Sequence, residues 1–598
     1  MKQFFKFMFA SMLGFFLTAA LVVLVLVGMI GAMVASSSET KEPSIAENTI
    51  LHIQLENRIQ DRPSNNPFES FDFGSFENKS PMGLKNIIDN INKAKVDDRI
   101  KGIYLDIPFL QASLANVEEI RNALISFKES GKFIVSYSES YSQNEYYLAS
   151  VSDEIYLNPS GDMTFKGLSA QIMFFKDALS RLDIDMQVIR HGKFKSAIEP
   201  FIRENMSDAN RAQLNVLVQS IWENQLSRIA NARGLTVEEL NKIADSLMVR
   251  TAMDAKSLNM VDDLKFEDEV IELLKVKVGT EADKELATVQ LKKFKKAKKV
   301  KGENEDQDRE KATSKNKIAL IFAEGEIVSG ESNDGMMGSE TIAKAIKLAH
   351  EDEDVKSIVL RVNSPGGSAL ASDVIWREVI LAKAKKPVVV SMGGVAASGG
   401  YYIACAADEI FAENFTITGS IGVFGLIPNM KGLFNNKLGI DIDQVNTNTY
   451  ADGLTPFRPL EPTERKAIKV KIEEIYDDFT QKVATGRDMT QAAVDSIGQG
   501  RVWSGASAIE IGLVDKIGGL SDAIISAADL AELEDYKIKE LPYREDPFEK
   551  IVKEFSTEVK YRILGQEFGE AEKYYMNIKN TLTSRGIYTR LPVDVIIE

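Results

Sequence analysis

The feature that most constrains the fold of this chain is an internal repeat. Gly131–Ser136 resembles Lys386–Ser391, and Asp153–Tyr156 resembles Asp408–Phe411, at one common offset of 255 residues. Self-similarity at a fixed offset is the signature of a repeated structural unit. With 598 residues, the chain is also long enough for several domains. The sequence therefore predicts two copies of one unit.

Each copy alternates short apolar runs with longer amphipathic segments. Ile318–Phe322, Ser357–Val362 and Val388–Ser391 have the composition of buried strands. Ser372–Lys383 and Thr463–Ala484 carry apolar residues at helical spacing. This alternation predicts an α/β fold of βαβ units with mainly parallel strands, and hence a pseudo-symmetric α/β protein.

Five segments are expected along the chain. A charged segment, Lys292–Lys317, separates the copies and is interpreted as a solvated linker; a membrane-surface patch at Lys292–Lys301 is the alternative. The predicted order is a cytoplasmic N-terminus with a transmembrane anchor (1–38), a first domain (39–291), the linker (292–317), a second domain (318–545) and a surface-facing C-terminal extension (546–598).

The N-terminal segment predicts a membrane anchor. Phe7–Ser38 contains no charged side chain, and about 20 apolar residues are enough to span a bilayer. Lys2 and Lys6 favour a cytoplasmic N-terminus, which places the rest of the chain on the far side. Cleavage near Ala35–Ser37, as in a secretory signal, is the alternative.

Composition excludes several classes of function. The net charge of −16 and the pI of about 5.1 argue against a nucleic-acid partner. The single cysteine, Cys405, has apolar neighbours and is expected to be buried and structural. The three histidines do not cluster with other ligands, so we expect no metal and no cofactor.

Ser398 is the leading candidate nucleophile. It lies in the small-residue stretch Ser391–Tyr402, directly after the apolar Pro387–Val390. A strand, a tight turn and a helix start would expose the serine beside free backbone N–H groups. The alternative is a packing turn whose serine caps the helix.

Comparison of the copies favours the catalytic interpretation. The glycine pair in Arg361–Ser368 has no counterpart in the matching Asp106–Ser113, and Gln143 stands at the position of Ser398. Glycines let a turn approach a ligand closely. If packing alone required these turns, both copies should have kept them.

The base is expected from the other copy. His191–Phe201 contains two lysines, whereas the corresponding Val445–Gly453 contains none. A lysine base has to be neutral, so its pKa must fall from about 10.4 toward 7–8. The residues themselves leave Lys193, Lys195 and His191 open.

Four motifs together resemble the long, two-domain form of the signal peptide peptidase A (protease IV) family, a family of anchored serine peptidases in the crotonase-like superfamily. The motifs are Gly192–Phe201, Asn363–Gly367, Ser391–Tyr401 and Thr418–Gly422. The resemblance extends from the anchor through both copies. It implies two tandem crotonase-like (ClpP-like) domains after one transmembrane helix.

The resemblance also implies roles for six residues. They are Ser398 as nucleophile, Lys195 as general base, Ser420 to orient the lysine, and Gly366, Gly367 and Gly399 as the oxyanion hole. A turn serine that bonds its own backbone is the alternative for Ser420.

The implied function is a serine endopeptidase that degrades cleaved signal peptides and other hydrophobic peptides by a Ser/Lys dyad. The resemblance further implies a homotetramer in the bacterial inner membrane, in contact with lipid through one helix, with the catalytic body on the periplasmic side. A crotonase-type acyl-CoA enzyme and a non-catalytic membrane scaffold are the alternatives.

Overall fold

The computed structural model of the chain describes residues 43–63, 81–298, 314–333 and 335–544, with short pieces at 3–4, 6–18, 21, 71–72, 77–78, 586–590 and 596–597. Residues 6–18 are helical. Within the described residues, no helix combines the length and the apolar character needed to cross a membrane. Most of the predicted anchor, including nearly all of Leu17–Val34, lies outside the described residues.

The first repeat is built on a six-stranded parallel sheet. In spatial order the strands are Asp263–Leu264, Glu154–Met163, Phe133–Tyr141, Ile100–Asp106, Thr49–Gln54 and Thr288–Gln290. The helices of this repeat are Leu84–Val96, Leu114–Lys128, Gln143–Ala149, Lys176–Arg181, Glu199–Ile202, Asp208–Arg233, Val237–Asp245, Ala252–Ser257, Glu267–Val278 and Leu291–Lys296. Apolar side chains on both faces of the sheet are buried, as expected of parallel strands.

The second repeat has the same design. Its sheet runs Val502–Ser504, Ile417–Gly419, Val388–Ala397, Val355–Ser364, Lys317–Glu324 and Lys537–Leu541, with Glu409–Ala412 and Lys516–Ile517 branching from the central strand. Only the Val502–Ser504 pairing is antiparallel in this sheet. The helices are Ser339–Glu351, Ala369–Lys383, Gly399–Ala404, Pro462–Gly486, Gln491–Ile497, Gly505–Glu510 and Leu520–Leu530, with a π-helix at Leu433–Leu438. The predicted α/β architecture with mainly parallel strands is confirmed, and so are the three strands and two helices predicted for the second repeat.

A further six-stranded sheet joins the repeats. Its order is Asp185–His191, Val423–Asn429, Gly586–Arg590, Gly366–Ser368, Glu326–Val328 and Met336–Gly338. The first strand belongs to the first repeat, and the third belongs to the predicted C-terminal extension. Short two-stranded ladders pair Ile59–Gln60 with Met82–Gly83, Ala170–Gln171 with Ile596–Ile597, and Phe71–Asp72 with Glu77–Asn78.

The packed part of the first repeat extends into the segment predicted as the linker. Leu291–Lys296 is a helix, and its Leu291 and Phe294 side chains are buried in the first core. The Lys93 amine donates to the Phe294 carbonyl at 2.7 Å. The predicted domain end at residue 291 is therefore too early, because two apolar residues one turn apart give this lysine-rich helix a buried face.

A buried ionic cluster fastens the two repeats together. The Arg361 guanidinium of the second repeat donates to Asp61 at 2.7 Å and to Glu119 at 2.6 Å, both in the first repeat. None of the three side chains is more than 2% exposed. Charges removed from water in this way are tolerated only when they are paired with good geometry.

We expect Arg361→Met to destabilise the protein by about 3–5 kcal/mol, because it leaves two carboxylates buried and unpaired. Thermal unfolding followed by calorimetry measures this as a lowered Tm. Arg458→Met is the matched control, since Arg458 also pairs with two carboxylates, Asp452 and Glu464, but lies nearer the surface. The control substitution should lower the free energy of unfolding by about 1 kcal/mol or less. Equal losses of stability in the two variants would contradict the prediction.

Candidate active site

Ser398 lies between the strand Val388–Ala397 and the helix Gly399–Ala404, as predicted. Its φ of 55° and ψ of −114° lie outside the regions that L-residues ordinarily occupy. Two hydrogen bonds hold this conformation: the Ser398 N–H donates to the Gly419 carbonyl and the Tyr402 N–H to the Ser398 carbonyl, each at 2.8 Å. Within the described chain its side chain does not cap the helix, so the capping alternative fails.

The first repeat delivers a lysine to this serine. The strand Asp185–His191 pairs antiparallel with Val423–Asn429 of the second repeat. The next residue, Gly192, has a φ of 103°, and a Cβ there would lie 2.4 Å from the Gln499 carbonyl oxygen. The chain can therefore turn tightly against the second repeat and carry Lys195 into it.

Residues from the two repeats meet in a buried hydrogen-bonded group. The Lys195 Nζ lies 2.8 Å from Ser398 Oγ, 3.0 Å from Ser420 Oγ and 3.1 Å from the Ser420 carbonyl. All three residues are completely buried. The structure thus brings together three of the residues singled out from the sequence.

The other two candidate bases lie elsewhere. His191 Nδ1 is 2.6 Å from Glu473, and its ring stacks on Tyr476 with centroids 3.7 Å apart. The Lys193 amine lies over an aromatic ring, 5.6 Å from its centroid. Among the described hydrogen bonds, neither group contacts Ser398, so Lys195 is the basic side chain in position.

Burial controls the charge of Lys195. Its pKa lies well below the ordinary value of 10.5 because a buried ammonium would lose its hydration. A neutral amine keeps one lone pair, which can accept a proton from the Ser398 hydroxyl. Its N–H groups can donate to the two oxygens of Ser420. The arrangement can therefore generate a serine nucleophile near neutral pH.

Comparisons with known proteins agree with this chemistry. A model of peptidase family S49 matches residues 126–281 and 380–534, once in each repeat, and a Clp protease model matches residues 308–414. The chain is 36% identical to Protease 4 of Haemophilus influenzae over 74% of this chain and 72% of that one. The chain belongs to peptidase family S49.

Two further relatives extend the comparison. The S49 chain is 37% identical to the chloroplastic serine protease SPPA of Arabidopsis thaliana over 76% of this chain and 66% of that one. It is 36% identical to a putative signal peptide peptidase SppA of Enterococcus faecium over 41% of this chain and 72% of that one. The chain is a serine peptidase with duplicated, ClpP-like α/β repeats, which confirms the resemblance drawn from its motifs.

Ser420 is held as firmly as Ser398. Its φ is 51°, its N–H donates to the Arg501 carbonyl at 2.7 Å, and its hydroxyl lies 3.4 Å from the Gly500 carbonyl. These partners belong to a different segment, so the alternative of a serine bonding its own turn does not describe it. The hydroxyl is positioned to contact the Lys195 amine.

The predicted oxyanion glycines have different surroundings. Gly399 begins a helix, where the first N–H groups have no intrahelical acceptor. Gly366, with a φ of 97°, donates its N–H to Ser364 Oγ at 3.2 Å. Gly367 pairs with Ile327 of a neighbouring strand. The Gly366 amide is thus engaged within the turn, whereas Gly399 lies next to Ser398.

An extended segment lies beside this turn. Gly586–Arg590 pairs antiparallel with Gly366–Ser368 on one side and with Val423–Asn429 on the other. Arg590 lies opposite Gly366 in this register. The chain's own Gly586–Arg590 therefore fills the place of one extended strand between the two flanking strands, with the pairing geometry of β-augmentation.

The corresponding place in the first repeat is closed. Gln143 stands at the position of Ser398, and its Oε1 accepts the N–H groups of Lys166 and Gly167 at 3.3 and 3.0 Å. These residues form the turn that matches the Ser420 turn. The Gln143 side chain therefore bonds to N–H groups of its turn, whereas in the second repeat Lys195 bonds to the carbonyl and hydroxyl of Ser420.

Three supporting residues were not identified from the sequence. Ser364 donates to the Gly325 carbonyl at 2.6 Å and accepts the Gly366 N–H. Arg501 supplies the carbonyl for Ser420, and Gly500 packs so closely that a Cβ on it would lie 2.6 Å from Lys195 Cα. The pair of glycines around Gln499 signals a turn, but its contact with the lysine depends on the tertiary fold.

We expect the rate of peptide cleavage to fall at acid pH, because Lys195 acts only when neutral. The midpoint of the acid limb of kcat/KM should lie well below 10.5, since burial lowers the pKa of this lysine. Lys195→Ala should reduce kcat by about 10²–10⁴-fold. Lys193→Ala is the control and should leave both the rate and the limb unchanged; a dead Lys193 variant beside an active Lys195 variant would contradict the prediction.

Proposed function

We propose that this S49 chain is a membrane-anchored serine endopeptidase that degrades cleaved signal peptides, with Ser398 as nucleophile and Lys195 as general base. The observation that carries the proposal is the 2.8 Å contact between the buried lysine amine and the serine hydroxyl. A buried amine of lowered pKa beside a serine on a strained turn is the constellation expected of an activated nucleophile.

The proposed reaction has two steps. In the first, Lys195 takes the Ser398 proton while Oγ attacks a peptide carbonyl, and the protonated amine then gives that proton to the leaving nitrogen. In the second, a water molecule gives its proton to Lys195 and attacks the acyl carbon; the bond from that carbon to Ser398 Oγ then breaks, and the protonated amine returns the proton to Oγ. Ser420 holds the amine in line with the serine throughout.

The oxyanion would be held by backbone amides. We assign this role to Gly399, at the start of the helix, and to the neighbouring Gly366–Gly367 turn. Each well-placed donor is worth about 3–4 kcal/mol in the transition state.

The proposed substrates are extended hydrophobic peptides. The place between Gly366–Ser368 and Val423–Asn429, which the chain's own Gly586–Arg590 fills, supports this choice: a substrate pairing there in place of that strand would be recognised through its backbone, whatever its side chains. Remnants of signal peptides are such substrates, and the Enterococcus faecium relative is named for them. An anchor at residues 1–38 would place the body beside a bacterial inner membrane, on the periplasmic side.

We expect a fluorophosphonate probe to label wild-type protein on Ser398 and a synthetic signal peptide to be cut at internal bonds. Ser398→Ala should lose both the label and the cleavage, while Lys193→Ala should keep both. Labelling that survives Ser398→Ala would overturn the nucleophile. Labelling of Ser398 together with turnover of acyl-CoA thioesters but not of peptides would favour a crotonase-type enzyme. Absence of both activities would favour a scaffold.

We also propose self-association into a homotetramer, supported by an apolar face that one repeat buries and the other exposes. In the first repeat, Ile184 and Met186 pack against the second repeat and are 5% and 6% exposed. The second-repeat segment Lys437–Ile442 resembles Arg181–Met186 at a local offset of 256 residues, which places Ile440 and Ile442 at the positions of Ile184 and Met186. Ile440 and Ile442 are 47% and 42% exposed, and the nearby Val445 is fully exposed. The first repeat of another copy is the partner that internal symmetry offers to this face.

We expect the double variant Ile440→Asp/Ile442→Asp to have a smaller mass than wild type in detergent solution, measured by light scattering during size-exclusion chromatography. Peptide cleavage per chain should persist, because one chain contains the complete dyad. Val276→Asp is the control, since Val276 is an 80% exposed aliphatic residue on the first repeat. An unchanged mass for the double variant would count against this face as the contact.

A further inference from the structure

A buried glutamine connects the two halves of the candidate site. Gln213 lies on the helix Asp208–Arg233 of the first repeat and is 1% exposed. Its Nε2 lies 3.0 Å from the Phe194 carbonyl and 2.9 Å from Ser196 Oγ. Its Oε1 accepts the Val502 N–H of the second repeat at 3.3 Å. One side chain therefore bonds to both repeats.

The bonded groups surround the lysine in the chain. Phe194 and Ser196 are its immediate neighbours, so Gln213 bonds to the backbone just before Lys195 and to the side chain just after it. Val502 directly follows Arg501, whose carbonyl accepts the Ser420 N–H at 2.7 Å. The same amide thus restrains the lysine and the segment that positions its orienting serine.

The restraint acts together with close packing from the opposite repeat. A Cβ on Gly500 would lie 2.6 Å from the Lys195 backbone nitrogen, Cα and Cβ. The Phe194 N–H donates to the Gln499 carbonyl at 2.9 Å. The lysine loop is therefore bonded by Gln213 from one repeat and packed against Gln499 and Gly500 from the other.

We infer that Gln213 is a positioning residue that holds the Lys195 amine at Ser398 and helps to exclude water from it; the inference rests on the proposed function. A lysine side chain has four rotatable bonds, so its amine is placed reproducibly only when its backbone is fixed. Displacements of about 1 Å at a reacting group can cost about 10²-fold in rate. Looser packing would also admit water and raise the pKa of the lysine.

The chemistry of the contacts requires an uncharged amide. The Phe194 carbonyl needs a donor and the Val502 N–H needs an acceptor, and a glutamine supplies both in one orientation. Glutamate would keep the acceptor, lose both donors and place a negative charge beside the lysine loop. That charge would favour the protonated lysine and so raise its pKa.

The experiment compares Gln213→Met with Gln225→Met. Gln225 is on the same helix and completely buried, and its Nε2 bonds to Asn144 at 3.4 Å, away from the lysine loop. For Gln213→Met we expect kcat for peptide cleavage to fall about 10–100-fold with little change in KM, and the acid limb of the pH profile to move to higher pH. Gln225→Met should change neither kcat nor the position of the acid limb.

A second variant separates positioning from general stability. Gln213→Glu should move the acid limb further toward alkaline pH than Gln213→Met, and raising the pH should recover part of its rate. If both Gln213 variants keep the wild-type limb and lose only as much Tm and rate as Gln225→Met, the residue is structural and the inference fails. Ser398→Ala is assayed in parallel, because activity surviving in that variant would refute the proposed function and not the role of Gln213.

Discussion

The candidate site depends on one antiparallel strand pairing between the two repeats. Asp185–His191 lies against Val423–Asn429, and the loop that follows carries Lys195 to Ser398. Met186 contributes to an apolar cluster shared by the two repeats. Ile189 of the same strand lies in a second cluster shared by the repeats, and a slip of one residue would exchange the side chains on the two faces of the strand. Hydrophobic packing therefore sets the register on which the 2.8 Å contact depends.

Burial makes the lysine reactive at a cost in stability. In the unfolded chain the amine stays protonated up to about pH 10.4, whereas burial lowers its pKa in the folded chain. The unfolded state thus binds more protons near neutral pH, so this group disfavours folding there and does so less as the pH rises. Other charges are buried at the same inter-repeat junction, where Arg361 is paired with Asp61 and Glu119.

Local sequence patterns predict the strands and the candidate nucleophile Ser398. They do not predict the features of the site that depend on contacts between distant segments. Continuous apolar runs identify buried parallel strands, and the glycine-rich turn identifies Ser398, because both signals lie within a few residues. Lys193 and Lys195 are two residues apart in an irregular loop, where no periodicity tells which side chain points inward. Gln213 and Gly500 act through contacts between segments far apart in sequence, and only the tertiary fold reveals them.

Duplication explains why a site of this kind can be divided between repeats. Each repeat retains a complete sheet and core, so its stability does not require both halves of the chemistry. In the first repeat Gln143 stands at the place of the serine and accepts two N–H groups of the neighbouring turn. Because one chain carries both repeats, docking of the lysine strand is intramolecular and its effective concentration is high. The second repeat lacks a lysine of its own, but the first repeat of the same chain supplies one, so the site is complete in a single chain.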